Sequence, residues 1–330
     1  MTRFGIIGSN FITETFVDAA RQAEHVSLTA VYSRSAERAE EYAAKHDIPN
    51  TFTDIEAMAQ SELIDAVYIA SPNSLHAEYA IAFMKQGKHV LCEKPIASNA
   101  RELREMIKVA QENNVLLMEA MKSTLMPNFQ AVQENIHKLG KVRNYYASFC
   151  QYSSRYDAYK AGDVMNAFKP ELSNGSLMDI GTYCIYPLVV LFGKPDSVKA
   201  SAVMLESGVD GKGSLILSYG DMEAVAVHSK ISHSSFPTEI QGEDANMLIE
   251  RISQPASVRI QYRDGREDEI VSKPQASNTM VYEIQAFVDL IRNKQYESPI
   301  NSFANSLIVM EIMDEARKQI GLVFPADKEV

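Results

Sequence analysis

From Phe4 to Met118 the chain exchanges short apolar runs with helical patterns, and this regular alternation restricts its fold more than any other feature of the sequence. Phe4-Gly5-Ile6-Ile7-Gly8 is an apolar run closed by glycine, and Phe11, Ile12, Phe16, Val17 and Ala20 then recur on one helical face. Val26–Tyr32, Ile64–Ala70, His89–Cys92 and Val115–Met118 repeat the strand signal. Ser35 predicts the cap of one intervening helix, Thr53 or Asp54 the cap of a short one, and Ser98 or Asn99 the start of another. Ser71-Pro72-Asn73 opens a further helix that runs to Gly87, with Asn73 read most simply as its N-cap and His76 facing a ligand or water. Strands that alternate with helices form parallel β-α-β units and a doubly wound sheet. Ligands bind such sheets beyond the carboxyl ends of the strands. That rule puts Gly8, Ser33, Ser71-Pro72-Asn73, Glu93-Lys94-Pro95 and Glu119 along one edge.

The first strand–helix turn is where a dinucleotide pyrophosphate would sit. Its six positions are Gly8-Ser9-Asn10-Phe11-Ile12-Thr13, of which the first alone is glycine. Asn10 stands where a second glycine would let the backbone approach phosphate; asparagine tolerates left-handed φ, and its amide can donate. Thr13 replaces a small residue at the helix–strand contact. After the second strand, Tyr32-Ser33-Arg34-Ser35 contains no carboxylate for a free adenosine ribose, and Arg34 and Arg38 are near enough to hold a 2′-phosphate. The reading favours NADP(H) over NAD(H). The plain alternative is that both arginines pair with glutamates on an exposed helix. Ala70 and Ser71, at the end of the third long strand, complete the expected cofactor edge.

Val90-Leu91-Cys92-Glu93-Lys94-Pro95 delivers a lysine at a strand end, and the proline stops the strand. A lysine in a cleft is uncommon without a task, because desolvation disfavours its charge. The bland reading is a solvated turn. Farther on, the alternation fades. Pro127 to Leu139 reads as a helix and Arg143 to Tyr152 as a long strand. Ser153 to Asn174 is a polar loop whose length suits a binding loop, with Arg155 and Asn166 as expected contacts to a ligand. An apolar helix begins near Gly175 and carries Asp179 and Tyr183, four apart and so on one face. Buried ionisable groups need partners, so the bland reading there is a hydrogen bond inside a core. From Val198 to Val271 strand follows strand, separated by Gly/Asp turns, which predicts an antiparallel sheet. Tyr282 to Arg292 and Phe303 to Ile320 are helices.

A length of 330 residues exceeds what one core usually holds. Two domains follow, 1–121, which carries the dinucleotide turn, and 122–330. The net charge of −11 without a basic stripe argues against nucleic acid or an anionic membrane as partner. Cys92, Cys150 and Cys184 are too few and too scattered for a disulfide framework or a zinc site, so no metal is expected and reduced cytoplasmic thiols are the simplest reading. The N-terminus enters a strand without a signal peptide, and the apolar stretch near Tyr183–Phe192 is short for a bilayer.

Glu93-Lys94-Pro95 after the fifth strand, with Gly175-Ser-Leu-Met-Asp179-Ile-Gly181-Thr-Tyr183 downstream, resembles the Gfo/Idh/MocA oxidoreductases over essentially the whole chain. Tyrosine at 183 is most similar to the branch with dimeric dihydrodiol dehydrogenase, D-xylose dehydrogenase and glucose–fructose oxidoreductase. The resemblance implies an α/β fold: an N-terminal Rossmann domain, then an α+β domain with a large, mostly antiparallel open sheet. It implies catalytic roles for Lys94 and Tyr183 with Asp179 close by, a frequently cis Lys94–Pro95 bond, and Ser71, Asn73, His76 and Glu93 along the cofactor. It also implies a homodimer through the open sheet face. Asn10 and Thr13 depart from the family's glycine loop. The expected activity is hydride transfer between NAD(P)(H) and a carbinol carbon of a sugar or cyclic diol, and the rival reading is a non-catalytic cofactor-sensing regulator.

Overall fold

The computed structural model describes residues 1–328 and opens on the alternation read from the sequence. Its first elements are β1 (Thr2–Ile7), α1 (Phe11–Ala20), β2 (Val26–Tyr32), α2 (Ala36–Lys45), β3 (Asn50–Phe52) and α3 (Ile55–Gln60). β4 (Ala66–Ile69), α4 (His76–Lys85), β5 (His89–Glu93), α5 (Ala100–Glu112) and β6 (Leu117–Ala120) follow. The six strands form one sheet in the order β3-β2-β1-β4-β5-β6, with every pair parallel. This is the dinucleotide-binding order, whose switch point lies between β1 and β4. β4 and β6 are buried at every position, as helices on both faces of a parallel sheet require.

Local chemistry accounts for most of the starts of α1 to α5. Ser35 accepts from Arg38 N (3.4 Å), Asp54 from Ala57 N (2.8 Å) and Asn99 from Glu102 N (2.9 Å). Asn73 is a correction: it begins a single tight turn, Asn73–Leu75, and α4 starts at His76 with no side-chain cap. β3 is also a correction. It is a three-residue edge strand, half-exposed, and leaves no apolar run to read.

The following elements are α6 (Pro127–Asn135), β7 (Val142–Cys150), α7 (Tyr156–Lys160) and α8 (Thr182–Phe192). Then come β8 (Ser197–Met204), β9 (Asp210–Tyr219), β10 (Met222–Ser229), β11 (Thr238–Gly242), β12 (Ala245–Ile249), β13 (Val258–Tyr262) and β14 (Glu269–Ile270). α9 (Met280–Arg292) and α10 (Phe303–Ile320) close the chain. The eight strands run β14-β13-β12-β11-β7-β10-β9-β8. The sheet is mostly antiparallel, as expected, and at its centre β7 and β10 pair in parallel. Along β10 to β12 the period of two is clear: Ala224, Ala226, Ile240, Met247 and Ile249 are buried, while Val225, Val227, Glu239 and Leu248 are half-exposed on the other face.

The chain divides into two compact units, Met1–Lys122 with Ala276–Phe303, and Ser123–Gln275 with Ala304–Val330. α9 therefore belongs to the first unit. Its Phe287 ring lies 5.7 Å from that of Phe4, which lies 5.8 Å from Phe16, itself stacked on Tyr68 at 3.7 Å. One stretch, Pro170–Phe192, is long and apolar enough to cross a membrane, but 72 % of its most apolar window is buried inside the structure, as in the core helix of a folded unit.

Candidate active site

The first unit's carboxyl edge begins at Gly8. Its φ is +119°, and an added Cβ would lie 2.8 Å from the Ala70 carbonyl oxygen, so no side chain fits. Asn10 behaves otherwise than its sequence position suggests. Its backbone is extended (φ −99°), and its side-chain oxygen accepts from Ile12 N (3.1 Å), Thr13 N (3.2 Å) and Thr13 Oγ1 (3.1 Å). Its amide nitrogen donates to Ala70 O at 3.2 Å, which spends one of its two N–H donors on the protein. Buried Thr13 is likewise no simple packing cost, because its hydroxyl completes the cap. Ser9 and Phe11 are exposed and Ile12 is half-buried; the Phe11 ring is 84 % exposed. After β2, Ser33 is half-buried, and Arg34 and Arg38 are exposed with no ion pair among the described residues. The glutamate-paired alternative is therefore not what the fold adopts.

The next two strand ends are tied together by His76. This fully buried ring places Nδ1 2.9 Å from Pro95 O and Nε2 3.0 Å from Ser71 O. Burial lowers its pKa to about 4, so it is a neutral brace between loops and not a group facing water. Glu93 is 8 % exposed and accepts from Tyr68 Oη at 2.6 Å; burial raises its pKa, opposed by the Lys94 charge. Glu119, also buried, accepts from Ile96 N at 3.2 Å and so holds the turn that follows Lys94. Lys94 is half-buried at the edge, and its bond to Pro95 is cis. A solvated turn is excluded by these burials.

In the second unit, a widened helical turn over Leu177–Gly181 leads into α8. Such turns recur at functional sites. From Leu177 to Val189 every residue is buried except Asp179 and Tyr183. The two therefore share one accessible face. Gly181 lets the helix lie close to β10, since a Cβ there would meet the His228 ring at 3.1 Å. Asp210 caps the turn from β9: its Oδ2 accepts from Leu177 N at 2.7 Å. Burial raises the Asp210 pKa to about 7 and lowers that of His228 to about 3. Their 3.7 Å approach is therefore no ion pair at neutral pH, because the imidazole is uncharged; its Nδ1 lies 2.9 Å from Ser176 Oγ instead.

Asp179 Oδ2 accepts from Lys230 Nζ at 2.6 Å. Lys230, Asp210 and His228 were not singled out from the sequence. The signal for Lys230 was present: it follows β10 directly, a strand end delivering a lysine just as β5 delivers Lys94. Arg155 heads α7 and Asn166 begins the turn Asn166–Phe168, both exposed. The rings of Tyr156 and Tyr159 stand 5.8 and 5.1 Å from Phe168 in this loop. Among the described residues no cluster of His, Cys, Asp and Glu is placed to hold a metal ion.

Comparison with known proteins follows the same division. The family model "Oxidoreductase family, NAD-binding Rossmann fold" matches residues 2–121, and the "GFO/IDH/MocA C-terminal domain" matches 129–247. The chain is 58 % identical over 328 residues to a scyllo-inositol 2-dehydrogenase (NADP(+)), IolU, of Bacillus subtilis, covering 99 % of this chain and 100 % of that protein. It is 31 % identical over 337 residues to a trans-1,2-dihydrobenzene-1,2-diol dehydrogenase of Xenopus tropicalis, with 98 % and 99 % covered. Among solved structures, a 3-ketoreductase from Actinomadura kijaniata in complex with NADP and TDP-benzene shares the fold at a TM-score of 0.83 and 23 % identity, covering 97 % and 98 % of the two chains.

Proposed function

The chain belongs to the Gfo/Idh/MocA oxidoreductase family, and we propose from its site that it is an NADP(H)-dependent dehydrogenase of polyhydroxylated rings, cyclitols first, with Lys94 and Tyr183 as acid/base pair. The single observation that carries the reading is that Asp179 and Tyr183 alone stay accessible between Leu177 and Val189. The scyllo-inositol relative and the dihydrodiol dehydrogenases support the substrate class, and the NADP(+) of the former supports the cofactor.

The first unit fits a dinucleotide. Gly8 leaves a cradle that a Cβ would fill. Asn10 takes the N–H groups of Ile12 and Thr13, so we assign the pyrophosphate to the remaining loop N–H groups from Ser9 to Phe11. Ser33, Arg34 and Arg38 would hold the 2′-phosphate, since neither guanidinium is spent on a carboxylate. Ala70, Ser71, Asn73 and Glu93 would line the remainder, and His76 would act through the Ser71 and Pro95 loops it joins. When bound, the nicotinamide supplies the hydride acceptor or donor. Tyr183 takes or gives the hydroxyl proton, and the Lys94 ammonium stabilises charge developing on the substrate oxygen. Asp179 orients the substrate, with Arg155 and Asn166 as further hydroxyl contacts. We further propose a cytoplasmic enzyme that pairs as a homodimer through the half-exposed face of the second unit's sheet.

The test is initial-rate kinetics of wild type, Lys94→Met and Tyr183→Phe with NADP+ and NAD+ over scyllo-inositol, pentoses, hexoses and vicinal diols. Each variant is expected to lose at least about a hundredfold in kcat. Near-normal turnover by both would sink the acid/base assignment.

A further inference from the structure

Lys230 is the most fully enclosed cation of the second unit's site. It is 3 % exposed, whereas the Asp179 side chain it pairs with is 37 % exposed. Its Nζ donates to Asp179 Oδ2 at 2.6 Å and to Ala167 O at 3.3 Å, and lies 5.2 Å from the centre of the Phe168 ring. Its backbone is fixed on both sides. Lys230 N donates to Gly211 O at 2.8 Å, and Lys230 O accepts from Ser153 N at 2.8 Å. Enclosing an ammonium is costly unless every donor finds a partner, and a buried ion pair is weak evidence of a stabilising device. Here the three partners come from two segments: Asp179 from the widened turn, and Ala167 and Phe168 from the Asn166–Phe168 turn of the loop. A cation built in this way sets the charge and direction of one accessible carboxylate.

We propose that Lys230 is a positioning residue for the reaction: it holds Asp179 ionised and aimed along the face it shares with Tyr183, and it anchors the Ala167–Phe168 segment of the substrate loop to that carboxylate. The proposal rests on the reading of Tyr183 as the proton carrier. An ammonium within hydrogen-bond distance favours the charged carboxylate, so its removal shifts Asp179 toward the protonated form at a given pH. The other titratable groups around the pair are Asp210 from β9, which lies within reach of the Lys230 charge, His228 from β10, held neutral by burial, and Tyr183 on Asp179's own helix. Asp210 is fully buried and bonded to the turn's main chain, so an Asp210→Asn control separates its titration from that of Asp179.

The experiment compares Lys230→Met, Lys230→Arg, Asp179→Asn and the Lys230→Met/Asp179→Asn double variant. It reads the pH profile of kcat/KM with scyllo-inositol and NADP+, NADPH affinity by fluorescence titration, and the 13C carboxyl titration of Asp179 in 13C-aspartate protein. Lys230→Met is expected to lower kcat about tenfold or more and to move the acid limb of the profile and the Asp179 titration upward by about one pH unit. NADPH affinity should stay within about twofold, Lys230→Arg should recover part of the rate, and the double variant should be no slower than Asp179→Asn. An Asp179 titration unchanged in Lys230→Met overturns the proposal, as does a rate loss accompanied by equal loss of NADPH binding. The carboxyl titration needs no turnover. A failure of the Tyr183 reading, seen as full activity of Tyr183→Phe, is therefore distinguishable from a failure of the Lys230 clamp.

Discussion

At the scale of the residue, three side chains are held by protein neighbours. His76 joins two loops by its ring nitrogens, Asn10 replaces a glycine by capping the helix that the glycine would have bared, and Asp210 caps a turn from another element. Their types were visible in the sequence, but Ala70 beside Asn10, Pro95 beside His76 and Leu177 beside Asp210 are brought in by the fold, and burial decides the protonation states of His76 and Asp210. Asp210 gives a pH dependence whose sign follows from linkage. Its folded pKa, near 7, is above the unfolded value, 3.8, so between these limits the folded state binds the extra proton. Stability from this group is intact below about pH 4 and falls as pH rises toward 7, by on the order of 4 kcal/mol from a displacement of about three units. Asp210→Asn removes that slope. The variant should gain stability relative to wild type as pH rises from 4 to 7, read as the difference in melting temperature between the two proteins. A difference that stays flat with pH would show that Asp210 is ionised in the folded state.

At the scale of the element, strand and helix order followed from apolar periodicity, because a parallel sheet buried on both faces demands continuous apolar strands. What escaped were elements whose signal is weak or altered by packing. β3 is short and half-exposed, and the turn at Leu177–Gly181 widens although its sequence reads as ordinary helix. The α1 start is the element-level departure from the family pattern. Its cap gathers two main-chain N–H groups and one hydroxyl on Asn10, and a lost cap of this kind costs about 1 kcal/mol. Asn10→Ala should lower the melting temperature by a few degrees and weaken NADPH binding several-fold, while Asn10→Asp should retain the cap but repel phosphate. Calorimetry and fluorescence titration check both; an Asn10→Ala melt indistinguishable from wild type would mean that the cap is energetically idle.

At the scale of the whole molecule, the second unit's sheet has one covered face and one that offers Tyr146, Val225, Val227, Ile216 and Leu248 at least partly to solvent, with Ile216 44 % exposed. A broad face of this composition suits a stable interface between copies. Wild type is expected to sediment as a dimer at micromolar concentration, and Val225→Lys, at the middle of β10, as a monomer with unchanged circular dichroism. A wild-type monomer at that concentration would remove the dimer proposal. The same scale separates what each source of information could decide. The sequence alone determined the doubly wound half, the residues along its carboxyl edge, the lysine at the end of β5 and the shared face of Asp179 and Tyr183, because periodicity and strand-end chemistry are local. Tertiary structure alone decided that α9 packs on Phe4 beside α1, that β7 and β10 run parallel at the centre of their sheet, that His76 is buried, and that Lys230 stands behind Asp179. Each of these depends on which distant residues share a core or a hydrogen bond, and neither periodicity nor composition carries that pairing.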